Sequence, residues 1–242
     1  METIFSDHEN RESLFKIEEA FERIASNKQI LALFPEIGKV ANRFYKDLAG
    51  GYSDQTETSF LNLYCEIHRA GSEYSEAERQ RLDNKQGYFN HPGGISPLLR
   101  SKQHIHSDTV VADLGAGNGL QGLLFQYLYP HKRTELVELS TSMIKIGKLF
   151  QEALGIEKDK VFWINDDIIN FDLDHIDFLY LYRPSKPIKN GIALYEDLRK
   201  KLGNRNRAVT IFSIADCLKD YLSDNYREFY NDGHLTCFRM DG

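Results

Sequence analysis

Cysteine is scarce. Cys65, Cys217 and Cys237 are the only three in 242 residues, widely separated and without a CxxC pair. That spacing excludes a disulfide-stapled scaffold and a structural zinc site, and it fits a reducing, cytoplasmic setting. No apolar run approaches membrane-spanning length, and the opening METIFSDHENRE is polar and acidic where a secretory leader would be basic and then apolar. No membrane partner is therefore expected. Basic charge is also in deficit, with 30 Lys and Arg against 36 Asp and Glu and a formal net charge of −6. Such a chain has no broad attraction to phosphate backbones, so charge favours a small-molecule partner over RNA. What is present is 41% hydrophobic and 27% charged residues, the balance of a globular chain, at a length that suits one α/β domain with an added element.

Residues 1–100 read as helical. Leu14, Ile17, Phe21 and Ile24 recur at spacings of three and four, Val40, Phe44 and Leu48 continue the rhythm, and a further apolar helix is expected over 60–67. Gly-Gly-Tyr-Ser-Asp at 50–54 interrupts the pattern, and the Pro- and Gly-rich stretch 88–97 makes a joint. From about Thr109 short apolar runs alternate with helical patterns, the grammar of βα units and a parallel sheet. Strands are expected at 109–114, 135–139, 160–165, 178–182 and 208–214. Helices are expected at 120–129, ended by Pro130, and from an N-cap at Ser140 to about Leu154. Runs at 226–230 and 234–240 around Asn231-Asp232-Gly233 predict a terminal hairpin. The fold class is α/β: a doubly wound, mostly parallel, seven-stranded sheet closed by an antiparallel hairpin. A helical cap or substrate region occupies 1–100 and the ligand-binding core 101–242.

The chemical signal is Val110-Val-Ala-Asp-Leu-Gly-Ala-Gly-Asn-Gly119, a buried strand running into glycines and then a helix. Gly115, Gly117 and Gly119 let backbone approach a ligand where a Cβ would intrude, and the next helix offers free N–H groups. Gly117 to Gly122 also satisfies the GxGxxG pattern of dinucleotide binding, which keeps an NAD-dependent oxidoreductase as an alternative. Asp113, two residues ahead of Gly115, favours a different donor. A carboxylate there repels pyrophosphate and suits the cationic aminoacyl-sulfonium end of S-adenosylmethionine.

Asp113-Leu-Gly-Ala116-Gly-Asn-Gly119 resembles the first motif of the class I S-adenosylmethionine-dependent methyltransferases, and two further stretches follow in that family's order. Leu136-Val-Glu138-Leu139 resembles the end of the second strand, and Ile164-Asn-Asp-Asp167-Ile168 the end of the third. The resemblance covers residues 101–242 and implies a Rossmann-like methyltransferase sheet with S-adenosylmethionine as cofactor and S-adenosylhomocysteine as product. It implies that Asp113, Gly115, Ala116, Gly117 and Gly119 cradle the donor and that Glu138 takes both ribose hydroxyls. Asp167 would accept from the adenine amino group, with Leu139 and Ile168 on the two faces of the ring.

The exit of the fourth strand, Tyr180-Leu-Tyr182-Arg183-Pro184-Ser185, is where the family places residues beside the transferred methyl. It departs from the Asn/Asp-Pro-Pro-Tyr pattern of amino-methylating nucleic-acid enzymes, and no acidic cluster follows to hold magnesium. Tyr182 and Arg183 are the candidate catalytic residues, one shaping the methyl pocket and the other binding a substrate acid. His104 and His106 lack a third ligand, so no metal is expected. The reading is a methyltransferase of unassigned acceptor, with a small molecule favoured over protein or RNA; a non-catalytic S-adenosylmethionine sensor is the second alternative.

Overall fold

A computed structural model describes residues 10–71, 74–89, 91–215 and 218–240; Cys217 lies outside them. All the foreseen strands are present: β1 (Val110–Leu114), β2 (Arg133–Val137), β3 (Val161–Ile164), β4 (Phe178–Tyr182), β5 (Val209–Ile214), β6 (Tyr226–Asn231) and β7 (Leu235–Met240). They form one sheet in the order β3-β2-β1-β4-β5-β7-β6. The first five are mutually parallel, and β7 runs antiparallel to β5 and β6. This is the doubly wound, mostly parallel seven-stranded sheet, closed by an antiparallel terminal hairpin, that the sequence predicts. In the hairpin turn, Asp232 Oδ1 accepts from the amides of His234 (2.9 Å) and Leu235 (2.7 Å).

Side-chain alternation along the strands divides the core. Val111, Leu136, Phe178, Tyr180 and Phe212 face the helices α7 (Leu120–Leu128) and α8 (Thr141–Leu154), while Val110, Ala112, Leu179 and Ile211 face α9 (Ile192–Gly203). Helices on both faces make the sheet doubly wound. Ser140 caps α8 as expected, its Oγ accepting from the Met143 amide at 3.2 Å. Strand β2 starts and stops two residues earlier than its apolar pattern predicts. Its second residue, Thr134, is polar but buried, with Oγ1 held by the His131 ring (2.7 Å) and Gln126 (3.2 Å).

The N-terminal portion supplies α1 (Arg11–Ser26), α2 (Lys28–Leu33), α3 (Pro35–Ala49), α4 (Asp54–Arg69), α5 (Glu76–Asn84) and α6 (Ser96–Ser101). Leu14, Ile17, Phe21 and Ile24 of α1 are buried in the same core cluster as Leu123, Leu124 and Phe125 of α7. This stripe gives α1 a full apolar face and seats it on the outer side of the α7 layer. Helix α5 has no buried residue and therefore no periodicity to read. It is fixed by polar contacts instead: a capping box from Ser75 and Glu78 and reaches across to the core described below.

A cleft at the carboxyl ends of the strands

Strand β1 ends in a loop in which Gly115, Gly117 and Gly119 all have left-handed backbone, with φ of 79°, 59° and 71°. The amides of Gly115 and Ala116 donate to the Val137 carbonyl at 2.9 and 3.0 Å, fastening the loop to the end of β2. The loop borders a cleft of about 1100 Å³, open mouth included, over the carboxyl ends of β1, β2, β3 and β4. That edge is where open α/β sheets bind ligands. Asp113, Gly115, Ala116 and Gly117 line the cleft, as do Glu138, Leu139, Asp167, Ile168 and Tyr182.

Two of the residues expected at the site do not line the cleft. A Cβ on Gly119 would lie 2.3 Å from the Trp163 ring and 2.9 Å from Leu136, so this glycine is required by packing beneath the loop. A Cβ on Gly147 would meet the same indole at 2.0 Å, and Trp163 Nε1 donates to Gln151 Oε1 at 2.9 Å. Arg183, at φ 34°, turns its guanidinium over the Tyr88 ring, 5.2 Å from the centroid, and Lys186 approaches that ring at 5.4 Å. Tyr182 does border the cleft, with the rings of His91 and His234 at 6.2 and 6.0 Å.

Each of the three acids has a distinct environment. Asp113 is 2% exposed, and its Oδ2 has no hydrogen-bond partner among the described residues. Burial pushes its carboxyl up to about 7; the Gly122 amide pulls the other way, and the nearby charge of Glu138 adds to the rise. Glu138 is also buried and raised by desolvation, against the hydrogen bonds it accepts. Its Oε2 takes the Gly117 amide at 2.8 Å and its Oε1 the Ser140 amide at 2.7 Å, so one carboxylate ties the glycine loop to the start of α8. Asp167 is the most open of the three; Lys85 forms an ion pair with it across the mouth.

Several neighbours carry no motif and were not legible in the sequence. Asn118 is fully buried, and its Nδ2 donates to the carbonyls of Ile67, His68 and Ala70, each at 3.0 Å. It thereby satisfies carbonyls left open at the end of α4 while its Oδ1 caps α7 through the Leu120 amide at 3.2 Å. Glu78 of α5 accepts from Ser140 Oγ (2.7 Å) and from Ser142 Oγ (2.7 Å) at the start of α8. Although partial burial opposes it, these hydroxyls and the Ser75 contacts hold the Glu78 carboxyl at about 2. Ser185 Oγ donates to the Lys85 carbonyl at 2.6 Å, completing a strap from α5 to the β4 exit over one side of the cleft.

Among the described residues, no group of three or more His, Cys, Asp or Glu could hold a metal ion, and no helix is long and apolar enough to cross a membrane. No protein-family model matches the chain. Over 119 residues it is 26% identical to the ribosomal RNA small subunit methyltransferase G of Parabacteroides distasonis, a match covering 49% of this chain and 48% of that one. The chain thus spans about half the length of the curated relative it matches. Among solved structures, an RNA methyltransferase from Salinibacter ruber, in complex with S-adenosyl-L-homocysteine, is 19% identical and covers 60% of this chain and 87% of its own at a TM-score of 0.47. TrmN from Thermus thermophilus is 17% identical over 60% of this chain and 46% of its own, at 0.45. At such identities and scores the architecture rests on the strand order itself.

Proposed function

We propose that this chain, built on the fold of the class I S-adenosylmethionine-dependent methyltransferases, transfers a methyl group from S-adenosylmethionine and releases S-adenosylhomocysteine. One observation carries the reading: Asp113, Glu138 and Asp167 stand at the carboxyl ends of three neighbouring parallel strands and face one cleft beside the glycine loop. In this reading Glu138 accepts from the ribose hydroxyls with the lone pairs that Gly117 and Ser140 leave open. Asp167 exchanges Lys85 for the adenine amino group, and Leu139 and Ile168 pack on the ring. Gly115, Ala116 and Gly117 give backbone clearance, and Gly119 acts through the packing below them. Methyl transfer from a sulfonium is a direct displacement, so alignment and exclusion of water are the main tasks of the protein.

Residues 1–100 are proposed to shape the acceptor side. Of these, Tyr74, Leu82, Tyr88, Phe89, His91 and Gly93 line the cleft, and Tyr182 stands opposite. Tyr182 is the proposed methyl-pocket residue; Arg183 acts on that side by fixing Tyr88. The lean to a small-molecule acceptor rests on net charge alone and finds no support in the curated relative, a ribosomal RNA methyltransferase. The proposal therefore commits to donor and reaction. A cytoplasmic setting, argued from the scattered cysteines, belongs to the same proposal.

Calorimetry with S-adenosylmethionine, S-adenosylhomocysteine and NAD tests it: both adenosyl ligands are expected to bind and NAD is not. Saturable NAD binding with no response to either adenosyl ligand would overturn the reading. The same titration carries a pH signature. Below about 7 Asp113 is protonated in the free protein, and it must ionise to pair with the ligand's ammonium. Affinity for S-adenosylhomocysteine should level off above that pH and fall roughly fivefold between pH 7 and pH 6.

A further inference from the structure

Beside α6 a second groove opens between the end of that helix and the terminal hairpin. Arg100, His104, Phe212, Phe229, Tyr230 and Arg239 line it, and none of them lines the first cleft. Two of its rings are neighbours in sequence on β6. The ladder between β6 and β7 shifts register between Glu228 and Tyr230, and this bulge brings Phe229 and Tyr230 into one groove where a regular strand would send them to opposite faces. Phe229 is left 38% exposed.

The charge of this groove runs against that of the chain, whose net balance is −6. Arg100 lies over the Tyr230 ring, 3.4 Å from the centroid, and Arg239 over Phe229 at 5.3 Å. Among the described residues neither guanidinium is ion-paired to a carboxylate. Arg227 on β6 stands directly across from Arg239 in the ladder, so the two cations share a face. Like charges placed this way are unfavourable without a counter-charge. The carboxylates of the hairpin are committed elsewhere. Asp232 accepts from the Tyr230 hydroxyl at 2.9 Å and from the two turn amides, and Glu228, on the opposite face with Phe238, pairs with Lys219 at 2.8 Å. His104 orients one of the cations. Burial, with the charges of Arg239 and His106, holds its imidazole down to about 4, so the neutral ring's Nδ1 accepts from Arg239 Nη2 at 2.9 Å.

A guanidinium stacked on a ring keeps its N–H edge for phosphate oxygens, which it grips in pairs. An exposed aromatic ring beside it is a surface on which a base stacks. We propose that this groove binds a nucleotide, its phosphate on Arg100 and Arg239 and its base against Phe229, at a site separate from the donor cleft. The inference stands on the groove alone and holds whether or not the donor reading does. A nucleotide reaches such a site either free or as a unit of a single-stranded chain, and both present the same two groups.

Calorimetry with 5′-AMP, adenosine and inorganic phosphate tests it, with and without saturating S-adenosylhomocysteine to fill the donor cleft. AMP should bind about fivefold or more tighter than either adenosine or phosphate, because each of those lacks one of the two groups. Arg100 is exposed and Arg239 half-buried, so both can be replaced without opening the core. Arg100→Gln and Arg239→Gln should each weaken AMP about tenfold and keep S-adenosylhomocysteine within about twofold of the parent. Phe229→Ala should weaken AMP about fivefold or more and leave inorganic phosphate within about twofold. A short single-stranded oligoadenylate that binds about tenfold tighter than AMP, with an affinity that falls as salt rises, assigns the nucleotide to a chain; equal affinity assigns it to the free form. Adenosine binding as tightly as AMP, AMP affinity unchanged in both arginine variants, or loss of all AMP binding under saturating S-adenosylhomocysteine would overturn the site and leave the donor reading standing. A parent protein that binds AMP in the groove and no adenosyl ligand would overturn the donor reading alone.

Discussion

Asn118→Asp should lower the melting temperature by roughly 6–15 °C, corresponding to a loss of about 3–4 kcal/mol for a domain of this size. The substitution keeps the side chain's shape and replaces two N–H donors by acceptor oxygen. Three carbonyls at 3.0 Å, those of Ile67, His68 and Ala70, would then face a carboxyl in a site with no solvent. The group either stays protonated, with one donor for three acceptors, or ionises against them; both are unfavourable. Asn118→Ala should cost less, about 2 kcal/mol, because it removes the donors without adding a repulsive acceptor. A melting point for Asn118→Asp within a degree or two of the parent would mean that the end of α4 does not depend on this side chain.

The second large effect is expected at Glu138. Glu138→Ala should weaken S-adenosylhomocysteine by about 1.5–3 kcal/mol, or roughly 10- to 150-fold, while the variant remains folded. Two losses combine: the acceptor for the ribose hydroxyls and the tether between the Gly117 and Ser140 amides, which holds the loop in its ligand-ready shape. Glu138→Gln, which keeps one carbonyl oxygen for one of those amides, should fall between the two. Circular dichroism and calorimetry on the same samples separate affinity from folding, and unchanged affinity in a folded Glu138→Ala protein would refute the ribose role.

The elements that sequence reasoning reached are those whose burial is one-sided or complete. Val110 to Leu114 are all buried, and the run reads as a central strand because nothing polar interrupts it before Asp113. The α1 stripe is legible for the complementary reason, an apolar face repeating at helical spacing. What escaped is held by polar groups meeting at long range. Helix α5 presents no buried residue and is fixed by Glu78 on Ser140 and Ser142, 62 and 64 positions away in the chain. The shift of β2 has the same origin, since Thr134 enters the strand with its hydroxyl satisfied by His131 and Gln126. At the site, the glycine loop and the three acids follow from local pattern. The hydrogen bond from the Tyr64 hydroxyl to Gln121 Oε1, at 2.9 Å, and the triple contact of Asn118 do not, because each joins the N-terminal portion to the core through side chains that carry no periodic or motif signal. Gly119 shows the limit of motif reading itself: its place in the pattern is right, and its physical duty is toward Trp163 below the loop.

That indole is the chain's single tryptophan. Its ring edge lies against Gly119 and Gly147, and its Nε1 is bound to Gln151 on α8. Emission excited selectively in the indole therefore comes from one address, on the underside of the loop and away from its thirteen tyrosines in wavelength. Any ligand that tightens or shifts the loop alters the ring's local field and packing, so the protein carries its own optical gauge of occupancy. Titrating S-adenosylhomocysteine should change the emission intensity or maximum along a curve that overlays the calorimetric isotherm. A silent indole during saturable binding would mean that ligand enters without moving the backbone above Trp163.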